Sequence, residues 1–197
     1  TIEGGMISTN DEQIYQMARM FRAHGMVRES SNEELKLDYL KKYPNVNPEF
    51  IFAYPGWNFR SSEINAVIGR SQLKRLDENN KKRKDNFRLF LENLDPRKYY
   101  TDFDIEGSCN YAFVLVLRKD DPGFCNRVIT ALKEANVEYR RGTSGGGNQM
   151  RQPYLKKLLP ENSYTSVPIA EYIHKFGFYI GNYPSLSSEK IITLCNY

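Results

Sequence analysis

Cysteine and histidine are scarce in this chain of 197 residues: three cysteines, Cys109, Cys125 and Cys195, and two histidines, His24 and His174. The cysteine count is odd and no pair has C-x-x-C spacing, which argues against a disulfide framework or a cysteine zinc site. Two histidines are too few for a His-rich metal site, and no metal is expected. No apolar run approaches the roughly 20 residues needed to cross a bilayer. Mean hydropathy is −0.63, so membrane insertion is not expected either. Gly-x-Ser-x-Gly, His-Glu-x-x-His and carboxylate clusters with metal spacing are all missing, which argues against the common autonomous hydrolases. Side chains alone are a poor supply of chemistry here, and a cofactor is the better expectation. Unpaired thiols and the lack of a signal-peptide pattern in the first residues make the expected compartment cytoplasmic.

An excess of one charge is lacking too. Lys and Arg number 28 against 24 Asp and Glu, a net +4, short of the clustered basicity of a nucleic-acid binder. The one dense run, Lys74 to Lys84, reads either as a nucleic-acid patch or as a solvated helix face with i,i+4 pairs. The second reading is favoured, and no nucleic-acid partner is expected. What is present, 40% hydrophobic and 26% charged residues, suits one sizeable core or two small ones.

Gly4 to Thr9 reads as a short strand leaving a diglycine. Asn10 looks like a helix N-cap, with Asp11 and Glu12 in the first turn and Gly25 as the stop. Residues 26–57, punctuated by Pro44, Pro48 and Pro55, read as a long excursion with little regular structure. One long helix is predicted from near Ser62 to Leu94. Beyond Pro96 the pattern predicts a strand over 111–117, a helix over 122–135, a strand over 137–141 and a flexible stretch over 142–148. A helix over Val167–Phe176, a strand over 178–180 and a last helix from Ser187 follow. This alternation argues for an α/β or α+β lobe.

Four places could carry chemistry. The diglycine Gly4-Gly5 either lets backbone approach a ligand or makes a structural turn. Gly56-Trp57-Asn58-Phe59-Arg60 sets an amide and a guanidinium two residues apart, just before a helix start at Ser61-Ser62-Glu63. Helix N-termini and arginines both favour phosphate; the alternative is a capped loop with a surface arginine. Arg140-Arg141, ahead of Gly145-Gly146-Gly147-Asn148, offers two guanidiniums for a diphosphate or carboxylate, or is simply a surface loop. No Gly-Lys-Ser/Thr follows, so it is not a P-loop. His24, beside Gly25, suits either general acid–base work or capping of a helix C-terminus.

In order along the chain, these pieces resemble one family, the vitamin-B6-dependent sugar-nucleotide aminotransferases of the DegT–StrS type. Thr1-Ile2-Glu3-Gly4-Gly5-Met6-Ile7-Ser8-Thr9-Asn10-Asp11 is similar to the segment that follows the cofactor-bearing residue. Arg22-Ala23-His24-Gly25 and the stretch from Gly56 to Leu73 fit in the same order. The resemblance covers essentially the whole chain, most strongly residues 1–94. It implies an α/β fold, the C-terminal half of a fold-type I PLP-dependent transferase. Residues 1–60 would end the large cofactor-binding domain, 61–94 form a long connecting helix and 95–197 the small C-terminal α/β domain. It further implies a homodimer with a shared active site, pyridoxal or pyridoxamine 5'-phosphate between the subunits and a nucleotide-sugar substrate. Asn58 would reach the cofactor phosphate of the neighbouring subunit, and Arg60 would face cofactor or substrate.

Within the family, Ile2, the Arg-Ala-His-Gly motif, Gly147-Asn148-Gln149-Met150-Arg151-Gln152-Pro153 and the stretch Glu171 to Asn182 look like the 3-dehydratase branch. That branch removes the C3 hydroxyl from a nucleotide-activated 4-keto-6-deoxyhexose in deoxysugar (O-antigen, lipopolysaccharide) biosynthesis. A histidine replaces the usual lysine there, and the cofactor enters as the pyridoxamine. The likeness makes His24 a second active-site histidine and puts Arg140, Ser144, Gly147 and Asn148 along the sugar-nucleotide path. A sugar 4-aminotransferase using glutamate is the alternative, and a non-catalytic binding or assembly module is the third reading. By the same likeness the cofactor-bearing Lys or His falls a few residues before Thr1, so this chain alone is expected to be inactive.

Overall fold

The computed structural model describes residues 1–142 and 146–197, in two compact units, Thr1–Lys74 and Arg75–Tyr197. In the first unit, helix α1 (Glu12–Phe21) starts one residue later than the sequence predicts. Asp11, not Asn10, is the N-cap, its carboxylate accepting from the Ile14 N–H at 3.0 Å. The predicted strand over Gly4–Thr9 does not form, because no described segment pairs with it and an extended run needs a neighbour to hydrogen-bond to.

The long excursion contains a helix that the sequence reading missed, α2 (Glu33–Lys42). Asn32 caps it, accepting from the Leu35 N–H at 3.0 Å, with Glu33 and Glu34 in its first turn and Lys41 and Lys42 in its last. Only Leu35 and Tyr39 of this helix reach the core of Met20, Val27 and Ile51, which Ala53 and Tyr54 also cover. Gln16 is buried on α1 with its polar atoms used: its carbonyl accepts from Ser30 Oγ at 2.7 Å and the Ser31 N–H at 2.9 Å, and its amide donates to Glu12 and Ser31. Paired in this way, a buried amide costs little.

The single helix predicted over Ser62–Leu94 is two helices, α3 (Glu63–Leu73) and α4 (Leu76–Asn93). Arg75, at φ −113° and ψ 1°, leaves helical geometry, and the two units divide there. α3 buries no residue, whereas α4 sends Phe87 and Phe90 into the second core; each helix answers to its own unit. On α4, Lys81 meets Asp85 at 2.7 Å and Lys82 meets Glu78 at 2.8 Å, the i,i+4 pairing of a solvated face.

The second unit is built on a three-stranded sheet. Strands β1 (Ala112–Val116), β2 (Tyr139–Arg141) and β3 (Gly177–Gly181) run in the order β1-β3-β2, antiparallel at both junctions. Helix α5 (Pro122–Glu134) lies between β1 and β2 in sequence; its N-cap Asp121 accepts from the Phe124 N–H at 2.8 Å, and Pro122 follows in the first turn. The short α6 (Pro153–Lys156) and then α7 (Pro168–Phe176) lead straight into β3, and α8 (Ser188–Cys195), capped by Ser187, ends the fold. Alternate residues Phe113 and Leu115 of β1 and Phe178 and Ile180 of β3 enter one core with Phe87, Phe90, Val128, Leu132 and Ile191. Phe90 stacks on Phe113 at 4.4 Å between ring centres, a contact that contributes about 1 kcal/mol beyond burial. Asn182, 1% exposed, donates to the carbonyls of Arg83 and Asn110 at 3.0 and 2.9 Å and ties α4 to the sheet. Among the described residues, no helix is long and apolar enough to cross a membrane.

Candidate functional site

In the first unit, the runs Arg22–Val27 and Ile51–Phe59 lie side by side. The His24 N–H donates to the Trp57 carbonyl, the Phe59 N–H to that of Arg22 and the Ala53 N–H to that of Gly25, each at 2.8 Å. Ala23 and Asn58 form an antiparallel bridge. The backbones are so close that a Cβ on Gly25 would stand 1.9 Å from the Tyr54 carbonyl oxygen, and one on Gly56 2.6 Å from the Gly25 nitrogen. Gly25 also has φ +79°, a left-handed conformation that glycine adopts without penalty. His24 itself sits at φ 61°, which costs a side-chain-bearing residue about 1 kcal/mol. The α1 terminus is closed by the N–H groups of Arg22 and Gly25, which donate to Ala18 and Met20. The His24 ring is thus not needed as a cap. Strained backbone instead sets half-buried His24 against the Trp57–Asn58 segment, its N–H bonded to the Trp57 carbonyl.

Asn58 and Arg60 are both exposed. The Asn58 side-chain Oδ1 accepts from the Arg60 N–H at 3.3 Å and from Arg60 Nε at 3.1 Å. That contact orients the guanidinium and leaves its two Nη groups free of any carboxylate partner among the described residues. The nearby helix end is less open than its sequence suggests. Ser62 and Asn65 form a capping box, Ser62 Oγ accepting the Asn65 N–H and Asn65 Oδ1 the Ser62 N–H, with Glu63 in the first turn. Anion binding here therefore rests on the Asn58 amide and the unneutralised Arg60 guanidinium, a donor set that suits a phosphate. Structure thus brings three predicted residues, His24, Asn58 and Arg60, into one neighbourhood.

Arg140 and Arg141 do not act as a pair. Neighbours on a strand point to opposite faces, so they cannot grip one diphosphate between them. Arg141 donates from Nη2 to the Lys175 carbonyl at 3.0 Å, near the end of α7, while Arg140 donates from Nη1 to the Tyr179 hydroxyl at 3.4 Å. Both side chains are exposed, but Arg141 is tied to the Lys175 backbone, whereas Arg140 is steered by a side-chain hydroxyl.

Asn148 is turned inward. It is 3% exposed, and its amide nitrogen donates to the Tyr164 carbonyl and to Glu171 Oε2, both at 3.2 Å. Its carbonyl accepts from the Met150 N–H at 3.1 Å, and its own N–H donates to His174 Nδ1 at 3.4 Å. Gly147, at φ +89°, packs so closely on that imidazole that a Cβ would stand 2.5 Å from Nδ1. Glu171 is the hub: Arg151 Nε donates to it at 2.8 Å, its Nη2 contacts the other carboxylate oxygen, and Lys175 stands 3.5 Å away. The Arg151 guanidinium also stands 3.9 Å from the centre of the Tyr164 ring. Hydrogen bonding from Arg151, then from Asn148, holds the Glu171 carboxyl at about 2, against its desolvation. Asn148 therefore spends its side-chain amide on clamping these segments, and Gly147 packs against the His174 ring. The pairing of Arg151 with Glu171 was not foreseen, although both lie in stretches that resemble the 3-dehydratases. Ser144 lies outside the described residues.

Comparisons with known proteins identify the family. The sequence profile of the DegT/DnrJ/EryC1/StrS aminotransferase family matches residues 1–197. A GDP-4-keto-6-deoxy-D-mannose 3-dehydratase of Yersinia pseudotuberculosis is 30% identical over 200 residues, covering 100% of this chain and 49% of that protein. The Escherichia coli GDP-4-keto-6-deoxy-D-mannose-3-dehydratase with bound hydrated PLP superposes with a TM-score of 0.72 at 25% identity, over 95% of this chain and 48% of that one. A variant of GDP-4-keto-6-deoxymannose-3-dehydratase with bound GDP-perosamine gives 0.68 at 25% identity, over 95% and 48%. The chain spans about half the length of the curated relatives it matches. With the profile covering every residue, this chain belongs to the DegT/DnrJ/EryC1/StrS aminotransferase family.

Proposed function

We propose that the protein carrying this chain is a pyridoxal or pyridoxamine phosphate-dependent enzyme that removes the C3 hydroxyl from a nucleotide-activated 4-keto-6-deoxyhexose, a step in making deoxysugars. The observation that carries this reading is the triplet on the first unit: His24 held in a left-handed turn beside Asn58, which orients the uncancelled Arg60 guanidinium. Asn58 and Arg60 hold the cofactor phosphate. When bound, the cofactor supplies an amine for the C4 ketone and a ring that takes up the electron pair. His24 donates a proton to the departing C3 oxygen, work that suits an imidazole near neutral pH. Arg140 holds an anionic part of the nucleotide.

In this reading residues 1–60 belong to the large cofactor-binding domain, 61–94 connect, and 95–197 make the small domain. The protein works as a homodimer with a shared active site; the exposed Ile64, Val67 and Leu73 of α3, each at least 67% exposed, support a surface that is covered on assembly. Three free cysteines support the cytoplasm as its compartment.

The test is turnover by the intact protein, supplied with pyridoxamine phosphate, glutamate as amino donor and GDP-4-keto-6-deoxymannose, with products identified by mass spectrometry. A 3-deoxy 4-keto sugar one oxygen lighter than the substrate is expected, its C3 hydroxyl replaced by hydrogen, with pyridoxamine phosphate oxidised to pyridoxal phosphate and its nitrogen released as ammonia. A 4-amino sugar that keeps its C3 hydroxyl and consumes glutamate contradicts the dehydratase reading in favour of the aminotransferase, and no turnover contradicts both.

A further inference from the structure

Arg140 is held in place by a phenol. The strand register sets Val114, Tyr179 and Arg140 across one row of the sheet, and such neighbours share a face. On that face the Tyr179 hydroxyl accepts from Arg140 Nη1, and the guanidinium carbon stands 6.0 Å from the ring centre. Tyr111 closes the far side, its ring 6.0 Å from that of Tyr179 and nearly perpendicular to it at 75°. The carboxylate nearest Arg140 is that of Glu138, at 4.0 Å and 88% exposed, a contact that solvent screens. A carboxylate fixes a guanidinium and cancels its charge, as Glu171 does for Arg151. A phenol fixes it and leaves the charge in place.

The surroundings are open. A Cβ on Gly181 would meet nothing within 4 Å, so the sheet beside Tyr179 is bare. Tyr111, Arg140, Tyr179 and Tyr183 line a cleft of about 1080 Å³, at the upper end of the range for small-molecule sites.

We propose that Tyr179 is a positioning residue: its hydroxyl holds Arg140 extended over this cleft, where the guanidinium takes a phosphate group of the nucleotide-activated sugar and Tyr111 forms the aromatic wall. The proposal rests on the nucleotide-sugar reading above. It explains why this arginine is held by a neutral partner in a unit where Arg151 is held by a buried acid.

The experiment is a cycle of steady-state measurements on the intact protein: wild type, Tyr179→Phe, Arg140→Ala and the double variant, with KM for the nucleotide sugar and kcat measured separately. Loss of one hydrogen bond to a charged group predicts that Tyr179→Phe raises KM roughly five- to tenfold. The kcat, the cofactor affinity and the melting midpoint should stay unchanged. In the Arg140→Ala background the second substitution should add nothing. An unchanged KM in Tyr179→Phe, or an effect of equal size without Arg140, overturns the proposal alone. If wild type neither binds nor turns over a nucleotide sugar, the underlying reading fails and takes this one with it.

Discussion

Two asparagine–arginine groups, one in each unit, look alike in sequence and differ in structure. Asn58 and Arg60 lie on the surface, the amide steering a guanidinium that meets no acid among the described residues. Asn148 and Arg151 converge on one largely buried carboxylate, Glu171, which consumes their donors. The first arrangement keeps charge available at the cost of exposing it, and the second spends charge on holding segments together. An arginine's partner, more than its neighbours in sequence, separates a ligand site from a clamp. Arg140, held by a phenol, falls with the first group.

The largest effect is expected at the crossing that assembles the open group. Gly25→Ala places a Cβ against the Tyr54 carbonyl at a left-handed φ, and should cost about 3 kcal/mol or more in denaturant unfolding and abolish activity. Arg60→Ala comes next. It should weaken cofactor binding about 100-fold, as loss of a charge-assisted phosphate contact does, and leave the melting midpoint unmoved because the side chain is exposed. Glu171→Ala should do the reverse, lowering stability by about 2 kcal/mol because it leaves Arg151 and Asn148 without their acceptor. If Arg60→Ala unfolds the protein, or Glu171→Ala is neutral in stability, the distinction between the two groups collapses.

Acid titration gives a smaller effect. The Glu171 carboxyl titrates at about 2 in the folded protein, against an ordinary value of 4.5. A depressed value means that its contribution is fully present above the ordinary range and lost as pH falls from there towards the folded value. Melting midpoints measured over that acid range should fall more steeply in wild type than in Glu171→Gln. Smallest of all, Lys175→Ala removes a half-exposed contact at 3.5 Å and should cost no more than about 0.5 kcal/mol.

Sequence signals reached some of these features and not others, for physical reasons. The helix starts near Ser62, Pro122 and Ser187 and the apolar runs of β1 and β3 are local, and local propensity announces them. α2 was hidden because most of its side chains stay in solvent and only Leu35 and Tyr39 face a core, which leaves the apolar periodicity weak. The break at Lys74 and Arg75 has no glycine or proline to mark it; it arises where one unit ends and the next begins, a tertiary fact. The opposed faces of Arg140 and Arg141 were readable from strand period alone. The inward turn of Asn148 was not, since it depends on Glu171 arriving from another helix. For the open group, the glycines at 25 and 56 were visible, but the crossing that makes them necessary, and that brings His24 to Asn58, needs both segments folded.

The central claim is that Asn58 and Arg60 form the anchor for a cofactor phosphate. It is tested most directly by titrating the intact protein with pyridoxamine phosphate and with pyridoxamine lacking the phosphate, in wild type and in Arg60→Ala. The account predicts a strong preference for the phosphorylated form in wild type that largely disappears in the variant. Equal preference in both proteins would contradict it.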